Sequence, residues 1–180
     1  LCTARLRAHP RPVVGGYVLL AGWRGWTLGY MARPRDAADE AARAFQLATS
    51  KVQRSEALDV RSEAARMLHN PQAALDYAEK ARSLAQEDPN QIARSEFGLG
   101  AAQLDSANYS KAVDHFLQAK LIYQQGEDRV MHARATDHLA VSYSRSGMFS
   151  QAEPFFSKGR RLGEPRSGSA GLGQPVLSRL

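Results

Sequence analysis

The sequence predicts an all-α protein, a solenoid of about four stacked helical hairpins. Three observations carry this. Between residues 17 and 162 apolar residues recur at three- and four-residue spacings, with hardly any strand signal. The breaks between these segments are short and rich in Asn, Asp, Gly, Pro or Ser. One frame of small and bulky residues then returns along the chain at intervals of 33, 38 and 40 residues, measured between Ala41, Ala74, Ala112 and Ala152.

In chain order, residues 1–16 read as a basic, poorly ordered segment. The apolar run at 13–23 is far short of the ~20 residues a membrane span needs. It lacks a clean small-residue cleavage site before Arg24, so its second half reads as the start of the first helix. The first unit, about 17–50, breaks at RPRD (33–36). The second, about 53–86, breaks at LHNP (68–71) and ends at EDPN (87–90). The third, about 90–125, breaks at DSAN (105–108) and ends at QGED (125–128). The fourth, about 128–162, breaks at SRSG (144–147). The Gly-, Ser- and Pro-rich stretch 163–180 reads as a disordered tail. The first residue is Leu, which reads as a fragment of something longer.

The recurring frame is clearest in the third unit, where Leu99-Gly100 is followed by Ala112, Phe116 and Ala119. It returns as Leu139-Ala140, Ala152, Phe156 and Gly159, and as Leu28-Gly29, Ala41, Phe45 and Ala48. The second unit supplies Ala74, Ala78 and Ala81 but has Arg61-Ser62 where the leucine and glycine belong. Glycine inside a helix costs roughly 0.5–1 kcal/mol relative to alanine. The frame accounts for Gly100 if it lets the two helices of a unit approach, with Phe116 wedged between successive units.

This pattern resembles the tetratricopeptide repeat (TPR), over roughly residues 17–162, including Tyr109 and Phe149 at the starts of second helices. The resemblance implies a right-handed α-α superhelix, with intervals above the usual repeat length met by helices a turn longer. It also implies a non-catalytic scaffold that binds a peptide or helix of a protein partner in a concave groove lined by first helices. Carried over by position, the groove residues are Trp23, Trp26 and Tyr30, then Glu56, Asp59, Glu63 and Arg66. The third and fourth units add Arg94, Phe97, Ala101, Leu104, Arg134, Asp137, Val141 and Arg145. Trp23 and Trp26 lie three apart, so only one need face inward and both groove and core readings stand. The carboxylate clamp that some family members use for chaperone tails is not matched. Trp26, Tyr30, Asp59 and Glu63 stand where its basic and amide donors belong. The alternative is a sensory or regulatory segment of a larger signalling enzyme or transcription regulator whose effector domain lies outside this chain.

Charge and composition narrow the classes. The net charge of +6 comes from residues 1–35, which carry six arginines and no acid, while residues 36–162 are charge-balanced at −1. A nucleic-acid binder would place its basic stripe on the folded body, which argues against that partner. One cysteine, Cys2, excludes an internal disulfide framework and suits the cytoplasm.

No catalytic, cofactor or metal motif emerges, and no cofactor is expected. His132 and His138 are six apart rather than four, and all five histidines lack a second ligand at metal spacing, so the helical ones read as surface residues. GLGAAQ (98–103) lacks the third glycine of a dinucleotide fingerprint and sits in a helical pattern. After residue 162 no polar helix follows to cover the Phe155/Phe156 face, so either more repeats follow in a parent protein or a partner or second copy covers it, and self-association through the last unit is an expectation.

Overall fold

The computed structural model describes residues 33–85 and 87–163, with side chains to residue 156. The described residues form seven helices and no strand. They are α1 (Pro34–Leu47), α2 (Lys51–Met67), α3 (Pro71–Leu84), α4 (Pro89–Asp105), α5 (Tyr109–Gln125), α6 (Arg129–Arg145) and α7 (Phe149–Gly163). The expected first helix, with Trp23, Trp26, Leu28, Gly29 and Tyr30, lies outside the described residues, as do Cys2 and residues 164–180.

Local chemistry sets the helix starts. Ser50 and Gln53 form a reciprocal capping box on α2, and Asn70, Asp88 and Asp128 each accept the backbone N–H three residues on. The ends share one design. At the turns after α2, α4, α5 and α6 a residue with positive φ (His69, Ala107, Glu127 and Gly147) reverses the chain. The N–H of the following residue bonds back to a carbonyl five residues earlier, as from Asn70 to Ala65 and from Asn108 to Gln103. Only the last of these turns places glycine at the positive-φ position. The capping hydrogen bonds at each turn hold the others in that conformation.

Consecutive helices pack against one another from α1 to α7, and α2 also touches α4 and α4 touches α6. No contacts join α1 to α3, α3 to α5 or α5 to α7. The stack therefore curves inward on the side of α2, α4 and α6, the geometry of an all-α superhelical solenoid.

The frame alanines make this close packing feasible. Ala41, Ala74, Ala78, Ala81, Ala112 and Ala119 are completely buried, and Ala152 nearly so. Gly100 meets the ring of Phe116: a Cβ added there would lie 2.9 Å from two ring carbons. Phe116 is itself completely buried, edge-on to Phe97 of α4 at 5.4 Å and stacked on His138 of α6 at 5.1 Å. It fills the wedge between the third and fourth units. In the second unit Ser62 takes the glycine's place. It is buried, and its Oγ donates to the Ala74 carbonyl at 2.8 Å, while Ser55 donates to Ala81 at 2.7 Å. The departure at Arg61-Ser62 therefore keeps a small residue at the helix contact and adds a cross-helix hydrogen bond from Ser62 beside the one from Ser55.

Candidate functional site

The inward side of α2 and α4 carries a row of charged residues linked between the two helices. Arg94 of α4 lies 3.6 Å from Glu56 of α2, both partly exposed. Arg66 of α2 reaches Glu63 at 2.6 Å and crosses to Asp105 of α4 at 2.7 Å. Burial works against the Arg66 charge, but the two carboxylates outweigh it and hold its pKa above the usual guanidinium value. Burial raises the Glu56 pKa, with Arg94 pulling down and Asp88 pushing up.

Beneath this row the site becomes polar and buried. Asp59 is 5% exposed, and its Oδ2 accepts from Gln91 Nε2 and, at 3.4 Å, from Ser95 Oγ. Gln91 Nε2 also donates to Ser55 at 2.9 Å, which completes a chain of hydrogen bonds from α3 through α2 to α4. Among the described residues Asp59 Oδ1 has no hydrogen-bond partner. Burial pushes the carboxyl up to about 8, against the lowering effect of Gln91, Ser95 and Arg94. Asp59 is thus mainly neutral at pH 7.

Several expected residues fall elsewhere than the groove. Phe97 is 9% exposed, with its ring edge-on to His138 at 5.0 Å and the Arg134 guanidinium 5.4 Å from its centroid. Its ring belongs to the core, as do Ala101 and Leu104, so Phe97 offers a partner little surface. Asp59, read from sequence as a groove acid, is likewise buried. Arg94, Asp137 and Arg145 are exposed and Arg134 is half-buried. Arg94 and Arg145 are thus accessible cations and Arg134 a partly accessible one, while Trp23, Trp26 and Tyr30 fall outside the described residues.

The histidines need correction. His132 is buried, and His138 lies against Phe97 and Phe116 with its Nδ1 buried. Burial pushes His138 down to about 4, helped by Arg66 and Arg134, so it is neutral at pH 7. His115 is partly buried with Nδ1 2.8 Å from Glu96 of α4, which also takes Arg82 of α3 at 2.6 Å. These rings fill helix contacts that the helical spacing alone did not mark as interior.

Among the described residues no group of three or more His, Cys, Asp or Glu could hold a metal ion. No described helix is long and apolar enough to cross a membrane.

Comparison with known proteins places the fold. Among solved structures the chain is similar to aspartyl phosphate phosphatase F from Bacillus subtilis, at 15% identity and a TM-score of 0.72 over 85% of this chain and 41% of that one. A Rap protein complexed with competence and sporulation factor aligns at 18% identity and 0.72, over 84% and 44%. BtubC from P. vanneervenii aligns at 18% identity and 0.70, over 97% and 73%. The chain spans less than half the length of the first two. The fold these structures share with it is a TPR-like helical repeat. No protein-family model and no curated protein matches the sequence.

Proposed function

We propose that the inward face of α2, α4 and α6 binds an extended or helical segment of a protein partner, without catalysis. Arg94, Arg134 and Arg145 are assigned to carboxylates or phosphates on that segment, since guanidinium groups are well suited to both. The observation that carries this reading is the charged row itself. Arg94 keeps a half-exposed side chain whose nearest carboxylate, Glu56, stands at 3.6 Å, longer than a tight charge-assisted hydrogen bond. The similarity to a Rap protein solved with a bound factor supports a binding role for this fold.

Affinity capture from native lysate tests the reading by comparing wild type with Arg94→Glu/Arg134→Glu. A discrete protein held by wild type and lost by a folded double variant is the expected result. The same protein held equally by both would contradict it.

The last unit carries a second part of the proposal, self-association. Phe116 is completely buried by the following unit, whereas Phe156, its counterpart in the frame, is 48% exposed and Phe149 is 68% exposed. Light scattering over micromolar concentrations is expected to show a rising mass. A constant monomer mass would remove this part and leave the groove assignment intact.

A further inference from the structure

A second site lies on the other side of α2. Helical spacing places Arg61 well around the helix from Glu56, Glu63 and Arg66, turned away from the inward row. Because α1 and α3 do not touch, a cleft of about 410 Å³ opens between them with α2 as its floor. It is lined by Arg35, Arg61, Asn70 and Tyr77, with Leu68 and alanines completing the walls. No acid lines it. Its volume lies in the range that holds small molecules.

The repeat frame shows what is unusual here. The position of Arg61 is filled by Leu99 in the third unit, 6% exposed, and by Leu139 in the fourth, completely buried. In the second unit an arginine replaces that core leucine and the space stays open. Among the described residues no carboxylate pairs with Arg61. Its guanidinium instead lies 4.3 Å from the Tyr77 ring centroid, and one N–H donates to Tyr77 Oη at 2.7 Å. That stacking orders the fork in advance and leaves its remaining N–H groups for another acceptor. Arg35 supplies a second guanidinium, and the N-terminus of α3 at Asn70 adds the positive end of a helix dipole.

We infer that this cleft binds a small phosphomonoester with an aromatic or apolar body. Two guanidinium groups match the near-dianionic charge of a phosphomonoester and can each donate two hydrogen bonds to it. Tyr77, Leu68 and the alanines receive the body. The site is separate from the inward groove and does not depend on what the groove binds.

Calorimetric titration of the full chain with phenyl phosphate, inorganic phosphate and benzoate tests this. Phenyl phosphate is expected to bind at least about tenfold more tightly than either of the others. Arg61→Leu restores the residue of the other units, so its thermal midpoint should match or exceed that of wild type while phenyl phosphate binding is lost. If that variant does not fold, Arg61→Gln must lose binding in its place. No heat from phenyl phosphate, undiminished binding by the folded variant, or equal affinity for inorganic phosphate or benzoate would each overturn the assignment.

Discussion

Phe116→Ala is expected to lower the free energy of unfolding by about 3–5 kcal/mol, the cost of removing a large buried ring whose surroundings cannot close over the space. The ring makes three contacts on the two helices that flank it, α4 and α6. It packs on Gly100 within its own unit, on Phe97 edge-on, and on His138 of the next unit. Each unit of a repeat array is held by its neighbours, so this loss should fall mainly on the coupling of α6 and α7 to the rest. Urea denaturation followed by circular dichroism measures the total. The companion variant Gly100→Ala approaches the same contact from the opposite side. With its new Cβ against an immobile ring it should destabilise by about 1–3 kcal/mol through overpacking, despite alanine's better helix propensity. A change near zero in both variants would show that the Gly100–Phe116 contact does not hold the third unit together.

The second large effect is a pH dependence centred on Asp59. Its carboxyl is pushed from the ordinary value of 3.8 up to about 8 in the folded chain. The folded state therefore binds the proton that the unfolded state releases between those values. Stability from this group is complete below about pH 4, declines as pH rises at about 1.4 kcal/mol per unit, and levels off above about pH 8. Asp59→Asn keeps an oxygen to accept from Gln91 and Ser95 and places an N–H₂ where Oδ1 stands, with no charge to bury. Relative to wild type it should gain on the order of 3 kcal/mol between about pH 5 and about pH 8.

The comparison between the two proteins is needed because His138 works in the opposite sense. Burial holds its pKa at about 4 rather than 6.5, so its contribution is lost as pH falls through that window. Paired denaturation curves across the range isolate Asp59. Parallel pH profiles for the two proteins would mean that the carboxyl is ionised throughout and that its hydrogen bonds compensate its burial.

What could be read from the sequence follows from what repeats. Leu99, Gly100, Ala112, Phe116 and Ala119 recur in other units because the same helix contact recurs, and that recurrence makes the TPR-like fold legible in the sequence. Residues that serve a single contact leave no such trace. Asp59 holds the position that Phe97 holds one unit later. Its burial depends on Gln91 and Ser95 reaching it from another helix, which spacing along α2 cannot reveal. His138 likewise becomes interior only because Phe97 and Phe116 converge on it from α4 and α5. Phe97 has the residue type and position of a groove contact, and the same convergence draws it into the core. The turn residues were hidden for a local reason. Ala107 and Glu127 adopt a conformation usually reserved for glycine, held there by hydrogen bonds to the preceding helix. Arg61 was visible as a break in the frame, but the cleft that gives the break meaning needed the positions of α1 and α3.

Amide hydrogen exchange on the chain with its captured partner bound is the most direct test of the binding face. Protection confined to α2, α4 and α6, with α3 and α5 exchanging as in the free protein, is the result predicted for a segment held along the charged row. Protection on α3, α5 or α7 with the inward helices unchanged would contradict it and place the partner on the outer surface.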